Sequence, residues 1–212
     1  MTGLDNFQQE ILVAFFARQR GFYLTGGAAL AGFHLGHRTT LDLDLFTNED
    51  LMDEGEQALL ETARDLDVGV ERLRTSSDFR RFLLTRGSES LVVDLVRELA
   101  PQIDEEKIEI RGIPVDSTRE IMANKLCTLL SRAELRDLVD VRALEDEGLS
   151  VEDHLPLAAE KDAGLTAGQL AWVLSQIEIG DDASPPGGVS ALELRSFVED
   201  LILRLTAMAY PS

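Results

Sequence analysis

A chain of 212 residues with 44% hydrophobic and 28% charged side chains can bury one sizeable core, or a core plus a smaller helical part, and is not collagen-like, low-complexity or largely disordered. Its 39 acidic against 20 basic residues give a net charge of −19. A surface of that balance repels nucleic acid as a whole, so a nucleic-acid substrate needs a local basic path; otherwise the substrate is small, or the acidity serves a basic partner or solubility. No apolar stretch approaches the roughly 18 to 20 residues of a membrane span. Met1-Thr2-Gly3-Leu4-Asp5 lacks the basic and then apolar segments of a signal peptide. The single cysteine, Cys127, excludes an internal disulfide or a cysteine zinc cluster. A cytoplasmic location with no membrane partner is expected.

Phe7, Ile11, Leu12, Phe15 and Phe16 recur at helical spacing and predict a helix over 5–19, ended by Arg20-Gly21. Residues 22–25 read as a short strand, Gly26-Gly27 as a turn, and 28–35 as a helix starting directly from the glycines. Residues 41–46 alternate leucine with aspartate and read as a strand. An acid-rich helix over 49–65 follows, then strands near 68–74, 79–85 and 91–96. Arg111-Gly112 between two short apolar strands, 108–110 and 113–115, marks a hairpin. From Ser117 the chain reads as helices: 118–131, 134–147, 151–162, 166–178 and 189–208, the last preceded by a Pro/Gly-rich loop over 180–188. Trp172 is expected in the core. The organisation expected is α+β: a mixed α/β core over 1–116 and an all-helical part over 117–212.

In the strand 41–46, Leu41, Leu43 and Leu45 are expected to face the core and Asp42 and Asp44 the other side, about 7 Å apart at roughly 3.3 Å per residue. Two carboxylates so placed repel unless a divalent cation lies between them, and Mg²⁺ takes a few carboxylates together with substrate phosphates. The plainer reading of such a pair is a strand whose polar face meets solvent. Two features favour chemistry. Gly26-Gly27 stands at a strand-to-helix junction, where backbone N–H groups bind phosphate. Asp94 stands alone in the apolar run Leu91-Val92-Val93-Asp94-Leu95-Val96, where a charge needs a partner: a third place at the metal site, or an arginine such as Arg80 or Arg81.

Lys125 shares the stripe of Ile121, Met122, Leu126, Leu129 and Leu130, and either reaches a triphosphate as a point charge or snorkels from the stripe's edge. Asp137 and Asp140, three apart, share a helix face with Val141 and Leu144; Asp137 either orients Lys125, acts as a base, or makes a surface ion pair. Arg38 contacts phosphate or is a plain loop arginine.

Gly26-Gly27, then His37-Arg38-Thr39-Thr40 and Leu41-Asp42-Leu43-Asp44-Leu45-Phe46, resembles the N-terminal signature of the nucleotidyltransferase AbiEii/AbiGii toxin family. Lys125 with Arg136-Asp137-Leu138-Val139-Asp140 is similar to that family's downstream lysine and R-D-x-x-D motif. The resemblance covers about residues 20–145; the remainder matches no family pattern. It implies a DNA polymerase β-like core with a small mixed sheet, a helical C-terminal part contributing Lys125 and Asp137, and use of Mg²⁺ (or Mn²⁺) with a nucleoside triphosphate. It assigns catalysis to Asp42, Asp44, Asp94, Lys125 and Asp137, metal binding to Asp42, Asp44 and Asp94, and nucleotide binding to Gly26, Gly27, Arg38 and Lys125. It further implies a toxin of a bacterial toxin–antitoxin or phage-defence system, with an antitoxin and a tRNA acceptor as expected partners. Ala28 departs from the family, where Thr or Ser is frequent after the glycines; backbone donors for phosphate remain. Two other functions fit less of the pattern: an acidic interaction module with a vestigial nucleotide site, and a metal-dependent hydrolase using the same acids.

Overall fold

The computed structural model describes residues 3–210; Met1 and Thr2, the start of the stretch read for a leader, lie outside it. The chain forms two compact units, Met1–Leu99 with Glu105–Ser117, and Ala100–Asp104 with Thr118–Ser212. Among the described residues no helix is long and apolar enough to cross a membrane.

The first unit is built on α1 (Asn6–Phe16) and a seven-stranded sheet. Helix α1 begins at Asp5, whose carboxylate accepts from the Gln8 N–H (2.8 Å) while the Gln8 side chain accepts from the Asp5 N–H (2.9 Å). That reciprocal cap satisfies two amides that the helix itself leaves unpaired. The apolar face foreseen for α1 is buried in full, with Phe15 edge-on to Phe16 and Phe22 at 5.3 and 5.7 Å.

The strands are β1 (Tyr23–Thr25), β2 (Asp42–Thr47), β3 (Gly69–Thr75), β4 (Phe79–Arg86), β5 (Glu89–Arg97), β6 (Ile108–Ile110) and β7 (Ile113–Val115), in the order β3-β4-β5-β2-β1-β7-β6. β2 runs parallel to β5 and β1 parallel to β7; the other neighbours are antiparallel, so the sheet is mixed. The β6–β7 hairpin turns on Arg111 and Gly112, both at positive φ (54° and 79°), as a tight two-residue turn requires.

Register sorts the side chains. Phe82, Val93 and Leu43 form one buried row across three strands, and Leu95 and Leu45 belong to the next. Helix α3 (Met52–Asp65) packs on that side, where Arg80 of β4 hydrogen-bonds the Met52 carbonyl (3.0 Å) and pairs with Glu56 (2.6 Å). Asp42, Asp44 and Phe46 therefore lie on the opposite face. Leu41 does not join the core: it precedes the strand, which begins at Asp42, and is 84% exposed. The helix expected over 28–35 starts at the glycines as α2 (Gly26–Ala29) and widens into a π-turn over Leu30–His34, closed by the Leu35 N–H on the Leu30 carbonyl (2.8 Å).

The second unit consists of α4 (Thr118–Ser131), α5 (Leu135–Asp146), α6 (Val151–Lys161), α7 (Ala167–Ser175) and α8 (Ala191–Ala209). Ser150, Thr166 and Ser190 cap α6, α7 and α8 through their hydroxyls. Segment 100–104 is held to these helices by the buried Glu120 of α4. Its carboxylate accepts from the Ile103 and Asp104 N–H groups (2.7 and 3.0 Å) and pairs with Lys161 of α6. Trp172 is not core: α7 buries Ala167, Leu170, Ala171 and Leu174, and Trp172 points off that stripe, 60% exposed. Trp172→Ala is therefore expected to leave stability within about 0.5 kcal/mol. Leu170→Ala is expected to cost about 2–5 kcal/mol, both read by urea denaturation followed by circular dichroism.

Candidate active site

The parallel pairing of β2 and β5 sets Asp44 beside Asp94 and Asp42 beside Val92. β1 adds Thr25 on the other flank of Asp44, β4 adds Arg81 beside Asp94, and β3 adds Arg74 beside Arg81. One row, Arg74–Arg81–Asp94–Asp44–Thr25, thus crosses five strands on the face that α3 does not cover.

The glycine turn meets this row at Asp44. Gly26 has φ +64°, and a Cβ there would stand 2.3 Å from the Asp44 Oδ2. Both conformation and close approach demand glycine. At Gly27 a Cβ would stand 2.4 Å from Arg38 Nη2. Arg38 is buried, and its Nη1 donates to the Thr39 carbonyl (2.9 Å), so its guanidinium is fixed against the glycine pair. Asp42 and Asp44 are partly exposed, and Asp42 Oδ1 accepts from the Thr40 hydroxyl (2.9 Å). The Thr25 hydroxyl is buried with no hydrogen-bond partner among the described residues.

Of the two partners expected for Asp94, the structure shows the arginine. Asp94 stands beside Asp44, but its carboxylate is gripped by Arg81, Nε to Oδ1 at 2.8 Å and Nη2 to Oδ2 at 2.6 Å. That hydrogen-bonded pair, opposed by partial burial and reinforced by the fields of Asp94, Asp44 and Asp42, raises the Arg81 pKa above the ordinary arginine value. Among the described residues no three acidic, histidine or cysteine side chains converge as a metal cage. The donors that fit a hard divalent cation are the two partly exposed carboxylates, Asp42 and Asp44, next to the unpaired Thr25 hydroxyl.

Lys125, Asp137 and Asp140 are brought together inside the helical unit. Lys125 Nζ on α4 lies 2.7 Å from Asp137 Oδ1 and 2.6 Å from Asp140 Oδ2 on α5. Both aspartates are fully buried and Lys125 nearly so, and Arg132 approaches the other Asp137 oxygen at 3.5 Å. The three-residue spacing of the aspartates turns both toward one lysine. Burial is the largest influence on Lys125 and disfavours its charge, but Asp140 and Asp137 together outweigh it and its pKa is raised. Arg136, between the motif's lysine and aspartate, instead pairs with Glu134 (2.8 Å). Thr25, Arg74 and the cross-strand position of Arg81 are neighbours that sequence reasoning did not place. Their signal is the alternation of β1, β3 and β4, which becomes readable only once strand partners are known.

A mixed sheet with an aspartate pair on a central strand, a glycine turn opening into a helix against that pair, and a helical second unit defines the nucleotidyltransferase architecture. The match to the family model "Nucleotidyl transferase AbiEii toxin, Type IV TA system" spans residues 10–208, and the chain belongs to that family. The family therefore extends well past the stretch 20–145 in which its motifs are legible, through α8. Solved structures share the fold. A Helicobacter pylori protein assigned as a nucleotidyltransferase is 18% identical, with 96% of this chain and 95% of that one covered and a TM-score of 0.61. JHP933 from Helicobacter pylori is 18% identical, with 95% and 91% covered and a TM-score of 0.60. MenT4, a nucleotidyltransferase toxin of Mycobacterium tuberculosis H37Rv, is 17% identical, with 94% and 82% covered and a TM-score of 0.58. A comparison with curated proteins found no match.

Two outcomes are expected from this geometry. Gly26→Ala forces a side chain into a left-handed position against Asp44 and costs about 1–3 kcal/mol in chemical denaturation. Lys125→Met leaves two buried carboxylates without a counter-charge and costs about 3–5 kcal/mol, part of which returns when Asp137→Asn and Asp140→Asn are added. Because the Lys125 pKa is raised on folding, its contribution is fully present below the ordinary lysine value of about 10.4 and is lost only as pH climbs through the higher folded value. The stability difference between wild type and Lys125→Met therefore stays constant from neutral pH to about pH 9.

Proposed function

We propose that this toxin-family nucleotidyltransferase moves a nucleoside monophosphate from a nucleoside triphosphate to a hydroxyl of an RNA or protein acceptor, a tRNA end being one such acceptor, in the cytoplasm. The observation that carries the proposal is the contact of the glycine turn with the acid strand: Gly26 lies against Asp44, with Asp42 on the same face. That contact makes phosphate-binding backbone and metal-binding carboxylates neighbours.

Asp42 and Asp44 would hold Mg²⁺ (or Mn²⁺), which supplies charge neutralisation to the triphosphate and to the oxygens that enter and leave phosphorus. The Gly26-Gly27 turn offers backbone N–H groups to the phosphates, and Arg38, fixed against Gly27, offers a guanidinium. The acceptor oxygen attacks the α-phosphorus, its proton passes to Asp94, and the bond to the β-phosphate oxygen breaks to release pyrophosphate. Arg81 fixes the orientation of Asp94. The role proposed for Lys125 is charge neutralisation toward the triphosphate, and for Asp137 the orientation of that lysine; the ion triad supports the second of these. An antitoxin counterpart follows from the toxin family.

The test is incubation of the protein with each α-labelled nucleoside triphosphate, Mg²⁺ and total RNA, with label followed by electrophoresis and nuclease or protease digestion. Asp42→Asn and Asp44→Asn are expected to lower transfer by about 10²-fold or more with the circular dichroism spectrum retained, and chelation by EDTA to abolish it. Undiminished transfer by a folded Asp42→Asn protein overturns the assignment.

A further inference from the structure

Among the described residues of the helical unit, the five large apolar side chains that stand exposed all belong to one pair of helices. Trp172 is on α7; Leu192, Leu203 and Met208 are on α8, and Tyr210 follows it. The two helices run antiparallel. A Cβ on Gly168 would stand 3.6 Å from the Ala209 Cβ, while Leu174 and Ser175 share an opening with Val198 and Ile202. That opening is a groove of about 400 Å³, floored by Leu174, Ile177, Ile179, Val198 and Ile202. Trp172 stands one turn before Ser175 on the same side of α7, so the exposed indole continues the groove's wall. Single apolar side chains scattered on a surface need no explanation, but five on two adjacent helices beside a groove do.

The rim of the groove is acidic. Glu178 and Glu199 line it, both exposed and neither in an ion pair among the described residues. Arg195, the cation of the lining, is held by Asp181 at 2.6 Å, and Asp182 closes on Gly180, where a Cβ would stand 2.7 Å from its carboxylate. From Ala167 to Ser212 six acids stand against two bases, and the second base, Arg204, is spent on Glu145, Glu152 and Asp200. An apolar floor is thus joined to negative charge that nothing on the same face offsets. Such a surface repels polyanions and anionic lipid. It also repels a second copy of this chain, which brings the same acids and a net charge of −19. A segment with one apolar side and one basic side satisfies both halves of the surface. The described residues of this unit form no strand whose edge a peptide could extend, so the complementary shape is a helix laid along the groove.

We propose that the α7–α8 groove is a docking site for a basic amphipathic helix of a protein partner. The apolar side of that helix enters between Trp172 and Ile202, and lysines or arginines on its flanks meet Glu178 and Glu199. The indole that α7 leaves outside its buried stripe then has a role, since large aromatic side chains concentrate binding energy at protein interfaces. The site belongs to the helical unit alone and does not rest on the transferase reading.

Trp172 is the chain's single tryptophan and serves as its own reporter. The probe is a synthetic peptide of about 18 residues with leucines at i, i+3, i+4 and i+7 helical spacing and lysines elsewhere. It is titrated against the full chain and read by the anisotropy of a fluorescein label and, unlabelled, by Trp172 emission. Binding with a blue shift of that emission is expected. Trp172→Ala, which keeps the fold, and Glu178→Lys combined with Glu199→Lys are each expected to weaken binding about tenfold. Glu105→Lys combined with Glu106→Lys changes the net charge equally, at exposed positions of the other unit, and is expected to alter affinity by no more than about twofold, since distant exposed charges are screened. Two further peptides run in parallel: the same leucine pattern with glutamate in place of lysine, and a scrambled leucine–lysine sequence without an apolar side. Both are expected to bind at least about tenfold more weakly. Absence of binding, equal binding of either control peptide, an unshifted emission, unchanged affinity in the two groove variants, or equal weakening by the Glu105 and Glu106 pair overturns the proposal. So does a dimer seen in sedimentation that Trp172→Ala dissociates, because a second copy is then the occupant.

Discussion

The parallel register of β2 on β5 is the constraint on which the site depends. It sets Asp44 shoulder to shoulder with Asp94, with Asp42 one row away. A shift of one residue in that pairing would send every aspartate of β2 into the helix-covered core and Leu43 and Leu45 into solvent, so the buried leucines lock the acids in place. Locked acids repel, by an amount on the order of a few kcal/mol for unit charges one strand apart near a protein surface. Arg81 offsets one of the three carboxylates.

The helical unit treats charge in the opposite way. Lys125, Asp137 and Asp140 are enclosed and mutually paired, and the raised pKa of Lys125 shows the two carboxylates winning over desolvation. Such a cluster is costly to bury and weak evidence of stabilisation, since an apolar replacement of equal volume is often no worse. What it does achieve is a lysine held at one position, because two carboxylates on one face of a helix both grip its ammonium. The open acid face and the closed lysine cluster are two ways of fixing charge. One is partly exposed and the other is enclosed.

How legible these features are in the sequence follows from their range. Local ones are plain. The alternation around Asp42 and Asp44, the three-residue step from Asp137 to Asp140 and the glycine pair at a strand end each declare themselves within one element. Ends and exposures are less so: Leu41 keeps the alternation on paper but lies before the first paired residue, and Trp172 misses its helix stripe by the turn from Leu170. Non-local features need the pairing of strands. That an isolated acid in an apolar strand needs a partner is readable from residue chemistry, and Arg81 was one of two candidates. The choice of Arg81 over Arg80 depends on the β4–β5 register, which puts Arg80 on the α3 side. Thr25 and Arg74 join the row only because β1 and β3 sit where they do in the strand order.

A net charge of −19 and a nucleic-acid acceptor are compatible because charge acts mainly at short range. At about 0.1 M salt, exposed charges further apart than roughly 10 Å are largely screened from one another. Many of the acids are also spent internally, Glu56 on Arg72 and Arg80, and Glu145, Glu152 and Asp200 on Arg204, whose pKa they raise. The total therefore says how fast a polyanion arrives and says little about where it rests. Where it rests is decided by the few cations that internal pairing leaves over, and on the sheet face the unspent one is Arg74, over the Phe79 ring and in line with the acids. A basic edge on an acidic exterior orients a polyanion that approaches it.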